Sequence, residues 1–171
     1  HQGNHGEDIK EIFYYLDNTP THSYMKMVYK YPINEFPYDQ LINENARRSK
    51  KEPEFEIIDT QIFKNSEYFD IFIEYAKASQ DDFLIRVTAV NRSNKKAPLV
   101  ILPTLWFRNN WSWGYERPQP KLKSSVKGII NIEHHNNSMK KLYAKDKNAT
   151  FFCDNETNSP KLFNTPSENQ Y

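Results

Sequence analysis

The fold is decided by a stretch in which alternation dominates, Tyr68-Phe69-Asp70-Ile71-Phe72-Ile73-Glu74-Tyr75-Ala76. Apolar side chains occupy every second position from Phe69 to Tyr75, and successive side chains of a β-strand point to opposite faces. This period of two predicts a strand with one face in a core and one wetter face.

Two neighbouring stretches repeat the alternation. Residues 24–31 place Met25, Met27, Tyr29 and Tyr31 on one face, and residues 83–91 do the same with Phe83, Ile85, Val87 and Ala89. The connections at 77–81 and 92–96 are short and polar, so a meander is the simplest topology. Further strands are expected at 126–133, 142–144 and 150–153, the first two flanking a hairpin turn at 135–138.

One helix is expected after Pro37, which suits a first helical position. Tyr38, Leu41, Ile42 and Asn45 share a face, and the helix must end before Pro53. One helix among eight or so strands predicts a mainly β fold, an antiparallel β-sandwich (supersandwich-like) with one or two short helices. We expect this domain to cover residues 1–154 and residues 155–171 to form a linker or docking segment.

Residues 99–107 carry apolar side chains on both sides of an expected strand. A strand of this kind should be covered on both faces, and a chain of 171 residues has little left to supply the second cover. The sequence therefore predicts that something outside this chain covers it. Pro103 favours an edge or a bulge within the stretch.

Composition excludes several classes of protein. Aromatic residues make up 15% of the chain, which is incompatible with disorder although the mean hydropathy is −0.87. A net charge of +1 gives no reason to expect nucleic acid or an anionic membrane as a partner. No run approaches the roughly 20 apolar residues of a membrane-spanning helix.

The single cysteine, Cys153, cannot form an internal disulfide, and its apolar surroundings favour buried packing. One cysteine and no visible signal sequence favour a cytoplasmic location. Because the chain begins with His1, we expect the native start to lie further upstream.

Neither a catalytic motif nor a cofactor motif is present. The chain lacks Gly-x-Gly-x-x-Gly, a P-loop and Gly-x-Ser-x-Gly. His134 and His135 are adjacent on an expected strand, so they point apart and cannot hold one ion. His5, Glu7 and Asp8 could converge in a loop, where a hydrogen-bonded cluster is the simpler interpretation. We therefore expect no cofactor and no metal.

All three tryptophans, Trp106, Trp111 and Trp113, lie within eight residues, close to Arg108 and Tyr115. Flat aromatic rings stack on sugar faces, and they equally pack in a core or against a neighbouring domain. The sequence leaves both interpretations open.

Several strings, read in order, resemble glycoside hydrolase family 63, in particular its large microbial members related to processing α-glucosidase. The strings are GNHGEDIKE at 3–11, YLDNTPTHSYMK at 15–26, YKYP at 29–32, LPTLWFRN at 102–109, WSW at 111–113 and NETN at 155–158. Their order and spacing match along nearly the whole chain, and Asn110, where a threonine is expected, is a small departure.

The resemblance implies an N-terminal-side β-sandwich that precedes an (α/α)6 barrel, in an enzyme that cleaves α-glucosidic bonds with inversion. In such enzymes the catalytic carboxylates come from the barrel, so no catalytic residue is expected here. The family pattern continues past both ends of the chain. The expected partners are the enzyme's own barrel and its oligosaccharide substrate.

The loop at 4–11 is expected to reach the barrel's cleft, with Asn4, His5, Glu7 and Asp8 helping to shape it. Trp106, Arg108, Trp111 and Trp113 are candidates for sugar or interdomain contacts. Two alternatives stay open: a free-standing carbohydrate-binding module that uses the tryptophans, and a non-enzymatic β-sandwich interaction domain.

Overall fold

The computed structural model describes residues 12–115, 119–134, 137–144, 149–153 and 158–166. The described chain is mainly β, with two antiparallel sheets of four and three strands and two short α-helices, which confirms the expected fold class. The chain divides into two compact units, His1–Val100 and Ile101–Tyr171.

The first unit contains a meander of four antiparallel strands in sequential order. They are β1 (Phe13–Asn18), β2 (Tyr24–Pro32), β3 (Tyr68–Lys77) and β4 (Phe83–Asn91). The ladder between β2 and β3 and the ladder between β3 and β4 each pair nine residues without a break. The three strands predicted from alternation are therefore confirmed, together with the turn between β3 and β4.

The connection from β2 to β3 contains helix α1 (Tyr38–Arg47), with Pro37 at the position before its first turn. The Asn45 side chain holds the returning chain, because its Nδ2 donates to the Phe55 carbonyl (2.9 Å) and its Oδ1 accepts from the Phe55 N–H (2.7 Å). A 3₁₀ turn at Ile57–Thr60 follows and buries Ile57 completely. The predicted helix is confirmed.

The second unit contains a three-stranded meander of β5 (Lys121–Val126), β6 (Ile129–His134) and β7 (Asn137–Tyr143), and the short helix α2 (Ser159–Phe163). The strand expected at 126–133 is present as β6, but its start is wrong, because Lys127 and Gly128 form a turn between β5 and β6. The strand expected at 142–144 corresponds to the end of β7. Gly128 has a φ of +83°, which a glycine adopts without strain.

Two further expected strands are wrong. Residues 99–107 form no strand, since Pro98 and Pro103 lack the N–H groups that a ladder needs. Residues 150–153 are also irregular, and Cys153 is exposed instead of buried. Strand β1 was not predicted, and the described residues form seven strands where eight or so were expected.

Gly128 provides a test of the second sheet. A Cβ at this position would lie 2.8 Å from the Ala144 carbonyl oxygen, whereas a Cβ at Gly114, whose φ is also positive at +79°, meets open space. We expect Gly114→Ala to lower the free energy of unfolding by about 1 kcal/mol through backbone strain. Gly128→Ala should cost about 1–3 kcal/mol more, because the added methyl group overlaps backbone. Equal losses in urea unfolding of the two variants would contradict the close approach of Ala144 to this turn.

Candidate functional site

The first feature of the four-stranded sheet is a network of ion pairs on one face. Glu74 lies at its centre: Arg86 donates to it through Nε and Nη2, each at 2.8 Å, and the Tyr24 hydroxyl donates at 2.7 Å. The hydrogen bonds from Arg86, then the one from Tyr24, lower the pKa of Glu74 from 4.5 to about 2. The same contact with Glu74 raises the pKa of Tyr24.

Asp70 is the second buried carboxylate of this face. Burial raises its pKa, but hydrogen bonds from Lys30 Nζ (2.7 Å) and Arg92 Nε (2.6 Å) outweigh that effect, and the pKa of Asp70 lies below its ordinary value. Both carboxylates are thus held as anions by cations from neighbouring strands. This arrangement stabilises three strands in one register.

The opposite face of the same sheet is apolar and partly open to water. Cross-strand partners share a face, so the central rungs of this face place three apolar side chains side by side, such as Met27, Ile73 and Val87. Phe83 is 50% exposed, Ile85 is 55% exposed and Val87 is 38% exposed. Neighbouring exposed apolar side chains of this kind are typical of an interaction surface.

At one end of this sheet the aromatic side chains line an open groove of about 480 Å³. Its walls include Tyr29, Tyr31, Phe36, Tyr38 and Phe69. The rings of Tyr29 and Tyr31 lie 6.1 Å apart, and burial raises the pKa of the Tyr29 hydroxyl. The volume of the groove is within the range of small-molecule sites.

Glu35 and Asn34 supply polar groups to this groove. The Asn34 amide donates to Glu67 at 2.9 Å, so its orientation is fixed by a neighbour on the turn before β3. Aromatic walls with a few polar atoms are suited to a sugar ring or to an apolar segment of polypeptide.

The residues singled out in the sequence are not all within the described part of the chain. Asn4, His5, Glu7 and Asp8 lie outside the described residues. Trp111 is buried, with 8% of its surface exposed, whereas Trp106 and Trp113 are 66% and 62% exposed. Arg108 is also exposed. The cluster therefore contains one packing residue and two rings that face solvent.

Within the described ranges, no three His, Cys, Asp or Glu side chains lie close enough together to hold a metal ion. The same ranges also contain no helix that is long and apolar enough to span a membrane.

The aromatic groove was not predicted from the sequence. Its residues come from the end of β2, the approach to α1, the start of β3 and the segment at Ala97 and Pro98. A dense aromatic run, with Tyr29, Tyr31, Phe36 and Tyr38 within ten residues, was the available signal.

The ion-pair network predicts sensitivity to acid. Because the pKa of Glu74 is lower in the folded chain than its ordinary 4.5, ionised Glu74 stabilises the fold above about pH 4.5, and this contribution is lost as the pH falls towards 2. Glu74→Gln should therefore unfold at lower urea concentration than the parent at pH 7, with a difference that shrinks towards pH 2. Circular dichroism checks this, with the exposed Glu54→Gln as control. A difference that does not vary with pH would contradict the assignment.

Comparison with known proteins gives a curated relative. Over 98% of its length, the chain is 37% identical to an uncharacterized protein of Saccharomyces cerevisiae, YMR196W. The alignment has 205 positions, more than the 171 residues of the chain, so the yeast protein carries additional residues within the matched span. The chain spans 19% of the length of that relative. No family model matches the chain, and no solved structure matches it.

Proposed function

We propose that this chain is a non-catalytic β-sandwich module of a larger glycoside hydrolase. The enzyme hydrolyses α-glucosidic bonds in oligosaccharides with inversion, and its catalytic residues lie in an (α/α)6 barrel outside this chain. The module supports that barrel and helps to shape its active site. The observation that carries the proposal is the apolar face of the four-stranded sheet, which the described residues leave partly exposed.

An exposed apolar face favours a module over a free domain. Burial of apolar surface stabilises a fold by about 25 cal/mol per Å². Because Phe83, Ile85 and Val87 are partly exposed, part of this stabilisation is missing in the chain. Helix α1 likewise buries none of its residues, and Ile42 is 49% exposed. A neighbouring domain that covers these side chains would recover the lost stabilisation.

The buried carboxylates support a structural role. A general acid in glycoside hydrolysis needs a raised pKa, because it must carry a proton at the working pH. Ion pairs shift the pKa values of Glu74 and Asp70 in the opposite direction. These two side chains are therefore suited to holding strands together and not to donating protons.

The family strings and the length of the yeast relative support the enzymatic context. The strings at 3–11, 15–26 and 102–109 carry the resemblance to family 63 on which this context depends. The chain covers about a fifth of a relative to which it is similar along nearly all of its own length. A protein of that length is therefore long enough to contain a barrel domain in addition to this module.

Activity of the longer protein tests the proposal. We expect the longer protein to release glucose from α-linked glucosyl disaccharides as the β anomer, which nuclear magnetic resonance detects within the first minutes. The 171-residue chain should release none. Hydrolysis by the chain alone would contradict the non-catalytic role, and an inactive longer protein would favour the interaction domain.

Carbohydrate binding by the chain itself is the second candidate, and the aromatic groove is the observation that favours it. Tyr31 is 45% exposed at the groove, in a position where its ring could stack on a sugar. The exposed rings of Trp106 and Trp113 offer a second surface, whereas buried Trp111 does not.

Calorimetric titration with maltohexaose separates the two candidates. The module proposal predicts no saturable heat from the chain. A binding function predicts saturable heat that is lost in Tyr31→Ala and retained in Tyr15→Ala, since Tyr15 is exposed on β1 and does not line the groove. Saturable heat with that pattern would replace the module proposal by a binding function.

A further inference from the structure

Strand β4 forms an open edge of the four-stranded sheet. It is the last strand in the order β1-β2-β3-β4, and among the described residues it pairs with β3 alone. Its ladder with β3 runs from Phe83 to Asn91 without a bulge. Such an edge carries a regular row of backbone N–H and C=O groups along its outer side.

The hydrogen bonds at both ends of the β3–β4 ladder show which residues carry that row. The Arg92 N–H donates to the Tyr68 carbonyl (3.0 Å), and the Ala78 N–H donates to the Asp82 carbonyl (2.9 Å). In an antiparallel pair, hydrogen-bonded and non-hydrogen-bonded pairs alternate. The even-numbered residues of β4 therefore bond to β3, and the odd-numbered residues direct their backbone groups outwards.

The other edge of the sheet is protected in a way that β4 is not. The β1–β2 register shifts between Tyr15 and Asp17, which marks a bulge, and Asp17 adds a charge. Bulges and charges prevent further strand pairing. In β4 the one charged residue is Arg86, whose guanidinium is bound by Glu74, and the strand contains no proline or glycine.

Apolar side chains are exposed on both faces of β4. Leu84 on the ion-pair face is 61% exposed, while Phe83, Ile85 and Val87 on the opposite face are at least 38% exposed. An edge strand that faces water normally carries polar side chains on its open face. The pattern of β4 is that of an inner strand, flanked on its outer side by another strand.

We infer that β4 accepts a fifth strand, supplied by the part of the longer protein that this chain does not include. The added strand pairs with the outward groups of Ile85, Val87 and Ala89 and is apolar at alternate positions. This inference rests on the proposed function. Most of the yeast relative lies outside the matched span, so polypeptide is available for this pairing in a protein of that kind.

A second copy of the chain is a poorer occupant. Two β4 strands could pair antiparallel about Val87 and satisfy their backbone groups, but the apolar face of each sheet would stay as exposed as before. A strand from a larger domain brings its own side chains and neighbouring layers. It therefore covers the backbone edge and the apolar face together.

Single-residue hydrogen exchange in β4 tests the inference in the chain and in the longer protein. The amides of Leu84, Arg86 and Thr88 bond to β3 in both proteins and serve as internal references. We expect the amides of Ile85, Val87 and Ala89 to exchange fast in the chain and more than about tenfold slower in the longer protein. Equal exchange in the two proteins would overturn the inference, even where the longer protein is an active glycosidase.

Val87→Pro gives a second readout, with Val87→Ala as the matched control that keeps the N–H group. In the chain the two variants should have similar melting temperatures, because the Val87 N–H makes no bond to β3. In the longer protein, Val87→Pro should melt several degrees lower than Val87→Ala, since proline cannot donate to the added strand. Equal melting of the two variants there would identify β4 as a true edge and end the inference.

Discussion

The structure depends on the alternation of side chains in β3, which separates charge from apolar surface. Its even-numbered positions place Asp70 and Glu74 among Lys30, Arg92 and Arg86, and its odd-numbered positions place Ile71 and Ile73 on the opposite face. Because paired residues share a face, the ion pairs also fix the register of β2 and β4. A slip of β3 by one residue would move Asp70 and Glu74 to the apolar face, away from their cations.

Much of the first unit could be predicted because this alternation is local information. Strands β2, β3 and β4 and helix α1 follow from periodicity and from proline positions. Strand β1 could not be found, since Phe13 to Leu16 are all apolar or aromatic and the bulge interrupts any period. Residues 99–107 were predicted to form a strand because most of them are apolar. They form none, because the prolines lack the N–H groups that a ladder needs.

The candidate sites were harder to predict because they depend on which segments meet. The groove combines the end of β2 with Phe69 and Pro98, and the sequence alone does not give that register. The roles of the tryptophans were equally hard to predict. Trp111 is buried and Trp106 is exposed, and their spacing in the sequence does not show this difference. The need for an outside cover was inferred from residues 99–107, but β4 and the apolar face of its sheet are what support it.

The central claim is that polypeptide outside this chain removes the apolar sheet face from water. Hydroxyl-radical footprinting measures this directly, because the oxidation rate of a side chain follows its contact with solvent. The account predicts that Phe83, Ile85 and Tyr31 oxidise severalfold more slowly in the longer protein than in the 171-residue chain. Equal rates in the two proteins would contradict the account, because the face would then be a free surface.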